Sequence, residues 1–261
     1  MSALLKYAVP MALGIAVLAL WEFLVRHFAV PVFVLPPPSA IWTALVENFA
    51  SLMASLWTTL SVTLEAFVLA VLGGVALAIL FSQSRAIENA LYPYAVILQV
   101  TPVVAITPLI LIWVGFDRID LVLVIVAFIV AFFPILSNTT LGLKSADHNL
   151  IDLFRLYGAN RWQILMRLQL PTALPHLLGA MKISGGLALI GAVVAEFVAG
   201  SGAATGLAWR IVEAGHNLEI AKMFAALALL AALGIAIFSV LSVLEWSLLH
   251  RWHESAVKKS S

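Results

Sequence analysis

Two carboxylates, Glu65 and Glu196, sit inside stretches of the chain that are otherwise almost wholly apolar. Ionisable groups in such surroundings are costly and face protein or water rather than lipid. Each is therefore either a carboxyl hydrogen-bonded to a neighbouring helix or a group on a route through a membrane. For an anionic cargo neither is a direct ligand unless protonated or paired, because a bare carboxylate repels it. The other concentration of polar chemistry is Asp152 to Pro171, DLFRLYGANRWQILMRLQLP, with Arg155, Arg161 and Arg167 on an amphipathic pattern. Its length, helical period and basic character suit it to be gripped by a soluble partner. Other chemistries lack their residues. No GxxxxGK[ST] loop cradles phosphates, so nucleotide belongs on another chain. Cysteine is absent, removing disulfides, thiol nucleophiles and cysteine metal clusters. His27, His148, His176, His216, His250 and His253 show no ligand spacing, and no Ser-His-Asp or paired-carboxylate set stands out. No enzyme chemistry and no cofactor are predicted for this chain.

Composition identifies the elements that must position these groups. Of 261 residues, 63% are hydrophobic and 10% charged, with a mean hydropathy of +1.09. A soluble domain carries about 25% charged residues. The chain reads as an all-α integral membrane protein, and a net charge of +1 gives no reason to invoke nucleic acid. A span needs about 20 mostly apolar residues. Six stretches qualify, near Ala8–Phe28, Trp57–Phe81, Leu91–Val114, Ile119–Ser137, Leu177–Ala199 and Ala221–Leu249. The first runs past the length of a signal-peptide core with no small-residue cleavage site, so it is read as a retained span. The organisation is a first span plus interfacial helix over 1–56, a core over 57–249 with a loop at 139–176, and a tail over 250–261.

After the first span, Pro36, Pro37 and Pro38 interrupt the helix. Ser39 is then placed to cap a surface helix carrying Ile41, Leu45, Phe49 and Leu52. Orientation follows the positive charges. With the N-terminus inside, the inner side collects Lys6, Arg85, Lys144, Arg155, Arg161, Arg167, Lys182, Arg251, Lys258 and Lys259. The outer side holds Arg26, Arg118, Arg210 and Lys222. Both termini and the Asp152 segment are thus expected in the cytoplasm.

In that segment Leu150, Ile151, Phe154 and Tyr157 recur at helical spacing. Asp147 or Asn149 can cap the start, Asp152 suits the early turns, and Gly158 falls where a left-handed C-terminal cap belongs. Asn160 restarts a helix with Trp162, Leu165 and Leu168. Leu170–Pro171 is expected to break it, with Pro175 preceding the fifth span. The third span carries Pro93, Pro102 and Pro108 near Gln99, Thr101 and Thr107, and reads either as a kinked pore-lining helix or as a packing kink. Gly179, Gly185, Gly186 and Gly191 with Ser184 let the fifth span approach another helix closely, at a dimer seam and pore wall. Lys182 is placed to snorkel inward. Gly200-Ser201-Gly202 with Gly206 is expected as an outer gate loop, beside an outer connection crowded by Arg210, Glu213, His216 and Glu219.

The loop resembles a signature of permease subunits of bacterial ABC importers: E-A-A, three residues, G, nine residues, I-x-L-P. Asp152-Leu153-Phe154 takes the first place, Gly158 the glycine, and Leu168-Gln169-Leu170-Pro171 the end. Asp replaces Glu, Leu replaces Ile, and Leu153 and Phe154 replace two alanines. VFVLPPPSAIW, TPVVAITPLILIWVGF and VVAEF look like the branch that serves nitrate, sulfonate, taurine, bicarbonate and thiamine-related pyrimidine precursors. The resemblance implies a type I importer permease fold of about six spans in the bacterial inner membrane. It implies a second permease copy, ATPase subunits that hold ATP and Mg, and a periplasmic binding protein. The Leu150–Tyr157 helix would be the coupling helix, with Phe154 and Tyr157 as anchors and Arg155 and Arg161 at the rim. A separate reading is an ion-gradient transporter or channel with Glu65 and Glu196 as proton sites; a third is a membrane scaffold.

Overall fold

The computed structural model describes residues 3–199 and 205–250, with side chains from residue 8. Among the described residues every regular element is helical. These are α1 (Ala3–His27), α2 (Pro38–Glu47), α3 (Phe49–Gln83), α4 (Arg85–Val100), α5 (Val103–Val114) and α6 (Ile119–Lys144). They continue with α7 (His148–Leu156), α8 (Arg161–Ile164), α9 (Leu170–Ala199), α10 (Leu207–His216) and α11 (Ile220–Leu249). Among the described residues five helical stretches are long and apolar enough to cross a bilayer, and a sixth is counted if α4 and α5 are taken as one bent span. The all-α membrane class follows directly from composition.

The chain divides into two units, residues 1–58 with 205–231, and 59–204 with 232–261. In the first, Leu52, Leu207, Ala225 and Ala226 form a buried cluster against Ile41, Leu45 and Ile211. Its entry differs from the predicted cap. Pro37 is the N-cap and Pro38 opens α2, the position where a missing N–H costs nothing. Ser39 is thereby released to bind α1. Its backbone N–H donates to Glu22 Oε2 at 3.0 Å and its hydroxyl to Glu22 Oε1 at 2.8 Å, while Arg26 donates to Ser39 Oγ at 3.1 Å. The surface helix also ends sooner than its apolar spacing suggests. Asn48 caps it, with its side-chain amide on Ala44 O at 2.9 Å, and Phe49 already begins α3.

The second unit is built on α6 against α9. A Cβ on Gly191 would lie 2.7 Å from Ala127 Cα, and one on Gly142 would lie 2.9 Å from Ala173 Cα. Between these points Ser184 Oγ donates to Ala131 O at 2.8 Å. The pairs run in opposite senses, so the two helices are antiparallel and touch backbone to backbone, as small residues permit in membranes. Val62 and Ala66 of α3, Ile110 and Leu111 of α5, and Ala192 and Ala195 of α9 close the core around α6.

Two proline predictions are corrected. The third span is not one kinked helix: α4 and α5 meet at 103°. Thr101 is extended at φ −70, ψ 126, and Pro102 at φ −62, ψ 109; the residue before proline is pushed out of the helical region. Pro93 and Pro108 lie inside α4 and α5. Conversely, Leu170–Pro171 breaks nothing. Residues 165–169 form a π-helical turn whose Leu170 N–H bonds Leu165 O, and α9 continues through Pro171 and Pro175. The wider turn shifts the hydrogen-bond register before the proline ring arrives.

Candidate functional site

The Asp152 segment folds from strong local signals. Asp147 is the N-cap of α7, its carboxylate accepting from Asn149 N–H at 2.8 Å, which settles the Asp147-or-Asn149 alternative. At the other end Gly158 takes φ +74. Gly158 N–H donates to Arg155 O and Ala159 N–H to Phe154 O, both at 2.9 Å. Those two bonds define a Schellman cap. Asn160 and Gln163 then form a reciprocal capping box at 2.8 Å in each direction. Helix, left-handed turn and restart stand as predicted.

No residue of α7 is buried. Leu150 and Leu153 are exposed, and Leu156 and Tyr157 are each 84% exposed, with Trp162 nearby also turned out. Asp152 accepts from Arg155 at 3.1 Å, an exposed pair that adds little. Arg161 is exposed, and no ion pair reaches it among the described residues. A cavity of about 470 Å³ lies along one flank, lined by Ser82, Gln83, Ile151, Arg155, Arg161 and Gln169. Another of about 360 Å³ lies on the other flank, lined by Leu153, Phe154, Tyr157, Gly158, Gln163 and Arg167. The helix thus stands clear of the bundle. The apolar face differs in detail from the predicted one. Phe154 and Ile151 are only half exposed, while Leu156, which sequence reasoning missed, is fully presented. Leu153, Leu156 and Tyr157 share i, i+3, i+4 spacing, the signal that was available. α7 has two apolar stripes, and the spacing alone does not say which one its own bundle uses. Leu170 is half-buried and Pro171 exposed at the start of α9.

The intramembrane candidates separate. Glu196 is fully buried and accepts from Thr59 Oγ1 at 2.7 Å, so it is tied into the core between α3 and α9. Ser184 and Thr107 are fully buried as well. Ser184 bonds Ala131 O, and Thr107 bonds Val103 O in its own helix. In this arrangement Thr107, Ser184 and Glu196 are enclosed within the subunit. Thr101 is half exposed with its hydroxyl on Ile97 O, and Gln99 is exposed. Glu65 is exposed, with no hydrogen bond or ion pair to it among the described residues; the neighbouring-helix bond allowed for it is not made. Lys182 does not snorkel: it pairs with Glu245 across α9 and α11 and stands over the Phe238 ring. Gly185 and Gly191 pack inside the subunit, whereas Gly179 and Gly186 have open space where a Cβ would go. Gly185 and Gly191 are therefore spent on packing within this subunit. Gly200, Ser201 and Gly202 lie outside the described residues. Gly206 opens α10, where Arg210 donates to Glu213 Oε2 at 2.7 Å and to Ser55 Oγ at 2.9 Å. The first of these bonds holds the Glu213 carboxyl below the usual carboxylate range.

The sequence profile of the binding-protein-dependent transport system inner membrane component matches residues 70–258, and the chain belongs to that family. It is 37% identical over 253 residues to the riboflavin transport system permease protein of Chloroflexus aurantiacus, covering 94% of this chain and 91% of that one. It is 31% identical over 241 residues to a putative aliphatic sulfonates transport permease protein of Bacillus subtilis, covering 92% and 85%. Among solved structures, the inward-facing MetNI methionine ABC transporter aligns with a TM-score of 0.63 at 22% identity, covering 77% of this chain and 97% of that one. The chain is the permease subunit of an ABC importer. It is not itself an enzyme, and the ATPase is a separate subunit. The ion-gradient alternative falls with these relationships.

Proposed function

We propose that α7 is the coupling helix, seated on the ATPase subunit through Leu153, Leu156 and Tyr157, with Phe154 beneath them and Arg155 and Arg161 at the rim. The observation that carries the reading is an amphipathic helix whose apolar side chains face water with both ends capped. A helix rigid at its termini transmits displacement, and an exposed apolar face on it calls for a partner. Nucleotide-driven closure of the ATPase pair, with ATP and Mg held there, then biases the spans between two arrangements. The termini and α7 lie on the cytoplasmic side, in keeping with the placement of Lys and Arg.

A second copy of the chain completes the pathway. What supports it is the open face of α9, where Gly179 and Gly186 leave room and Ile183 and Ile190 are exposed. Glu65, Gln99 and Thr101 are the pathway candidates still outward on this subunit. A periplasmic binding protein delivers the cargo, a small solute of the kind its relatives' names describe: riboflavin for one, aliphatic sulfonates for the other.

The chain has no cysteine, so a Leu156→Cys variant carries one reactive site. In the assembled importer a thiol-to-amine cross-linker at that position is expected to capture the ATPase subunit. Labelling from the outer side of intact cells, or no capture in a complex that hydrolyses ATP, overturns the assignment.

A further inference from the structure

We propose that Glu65 faces water on the translocation route and sets its charge selectivity, so that the cargo is an uncharged or cationic solute and anions are rejected. This rests on the reading that the chain forms the route together with a second copy.

Glu65 lies sixteen residues past the start of α3 and eighteen before its end, which places it about 24 Å and about 27 Å from the two ends at 1.5 Å per residue. That is the middle of the helix, eight residues inside the apolar stretch that begins at Trp57. Leu64, Leu69 and Leu72 are exposed around it, and Ser61 precedes it by one turn on the same face. The other ionisable groups well inside the spans are satisfied within the chain. Lys182 pairs with Glu245, and Glu196 is bonded by Thr59. Among the described residues inside the spans, Glu65 alone is left with neither partner nor cover.

Of the surroundings open to it, two fail outright. Lipid fails because an ionisable group at bilayer depth is held against protein or water. Pairing with a cation of the second copy fails on supply. Among the described residues the one cation deep in a span is Lys182, already committed to Glu245 in each copy. Water remains. The family profile begins at residue 70, so Glu65 belongs to the part of α3 that precedes the matched segment.

The sign of the charge then separates the relatives' cargoes. An anion about 8 Å from one carboxylate, at an effective dielectric of about 20, is disfavoured roughly thirtyfold. Two copies square that factor. An uncharged solute such as riboflavin is not repelled, and the carboxylate can accept its hydrogen bonds. A sulfonate is repelled.

The test uses the full importer in membrane vesicles at pH 7.5 and exploits the cysteine-free chain. Ser61→Cys and, separately, Leu69→Cys report on the same face one turn to either side. Each is reacted with a cationic and an anionic thiosulfonate reagent, with rates normalised to a small free thiol. The cation-to-anion rate ratio is expected to be about tenfold or more with Glu65 present, and to collapse toward one in Glu65→Gln. Absence of labelling at both positions overturns the proposal, because the face is then covered. A ratio unchanged by Glu65→Gln overturns it too. Disulfide capture between two copies at Gly186→Cys, in a separate preparation, reports on the second-copy reading. Its absence with the ratio intact removes that reading and leaves this one.

Discussion

The α7 segment and the middle of α3 carry opposite mistakes. In α7 Leu153, Leu156 and Tyr157 face water; in α3 Glu65 stands out among leucines. A monomer alone in its surroundings would have exchanged them. Each inversion marks a surface whose true neighbour differs from the one its depth in the membrane would supply. They differ in what they ask for. The apolar face asks for a matching protein groove, and the isolated charge asks for water. Glu196 supplies the control, since it sits in a span of the same chain yet is buried and bonded by Thr59.

The sharpest way to break the contrast is to correct the α7 inversion. Leu156→Asp makes the face conventionally polar, and a charge in a packed interface left without a partner costs several kcal/mol. ATPase retention on the purified permease is expected to fall about a hundredfold, with membrane insertion unchanged. Gly158→Val acts on the joint instead of the face. At φ +74 a β-branched residue pays about 1–2 kcal/mol or more, while the space around Gly158 is open, so backbone strain is the whole effect. Transport-coupled ATP hydrolysis is expected to fall about tenfold, and Gly158→Asn, which tolerates that conformation, to retain most of it. Equal loss in both variants would mean that the position matters for contact rather than for turn geometry.

The two carboxylates give the next smaller effect. Glu196→Ala removes the buried acceptor of the Thr59 hydroxyl and is expected to cost about 1–3 kcal/mol of stability, read as a lowered melting temperature in detergent. Glu65→Gln removes no contact and is expected to leave that temperature unchanged. Equal melting shifts in the two would erase the distinction between a packing carboxyl and a solvated one.

Local chemistry was the most legible part of the fold. Gly158, Asn160 and Asp147 act within a few residues of themselves, and the structure uses each as its type and spacing indicate. The prolines misled because their outcome depends on what precedes them. Pro102 breaks the third span outright, while a π turn carries the chain past Pro171 unbroken. Polar residues misled for another reason. Ser184 and Thr107 look like pore-lining groups on a one-dimensional reading, yet their hydroxyls are spent on Ala131 O and Val103 O. The direction in which a side chain points is a tertiary fact. So is the exposure of Leu156 rather than Phe154, because the two stripes of α7 are equally apolar.

The weakest expected effect concerns the first unit, where neither inversion applies and charge is paired in the ordinary way. Arg210 bridges Glu213 and Ser55, and its hydrogen bond depresses the Glu213 carboxyl. A carboxyl lowered in the folded state contributes its stabilisation fully above its unfolded value, about 4.3, and loses it as pH falls through the lower folded value. Hydrogen exchange in α10 is therefore expected to be flat between about pH 8 and pH 6 once corrected for intrinsic rates. Protection is expected to decline below about pH 4, and Glu213→Gln to remove that acid dependence. Because the pair is partly exposed, solvent screens it and the change stays small. If α10 loosened near neutral pH instead, a group other than Glu213 would be titrating, and the Arg210 bridge would not be what fastens this helix.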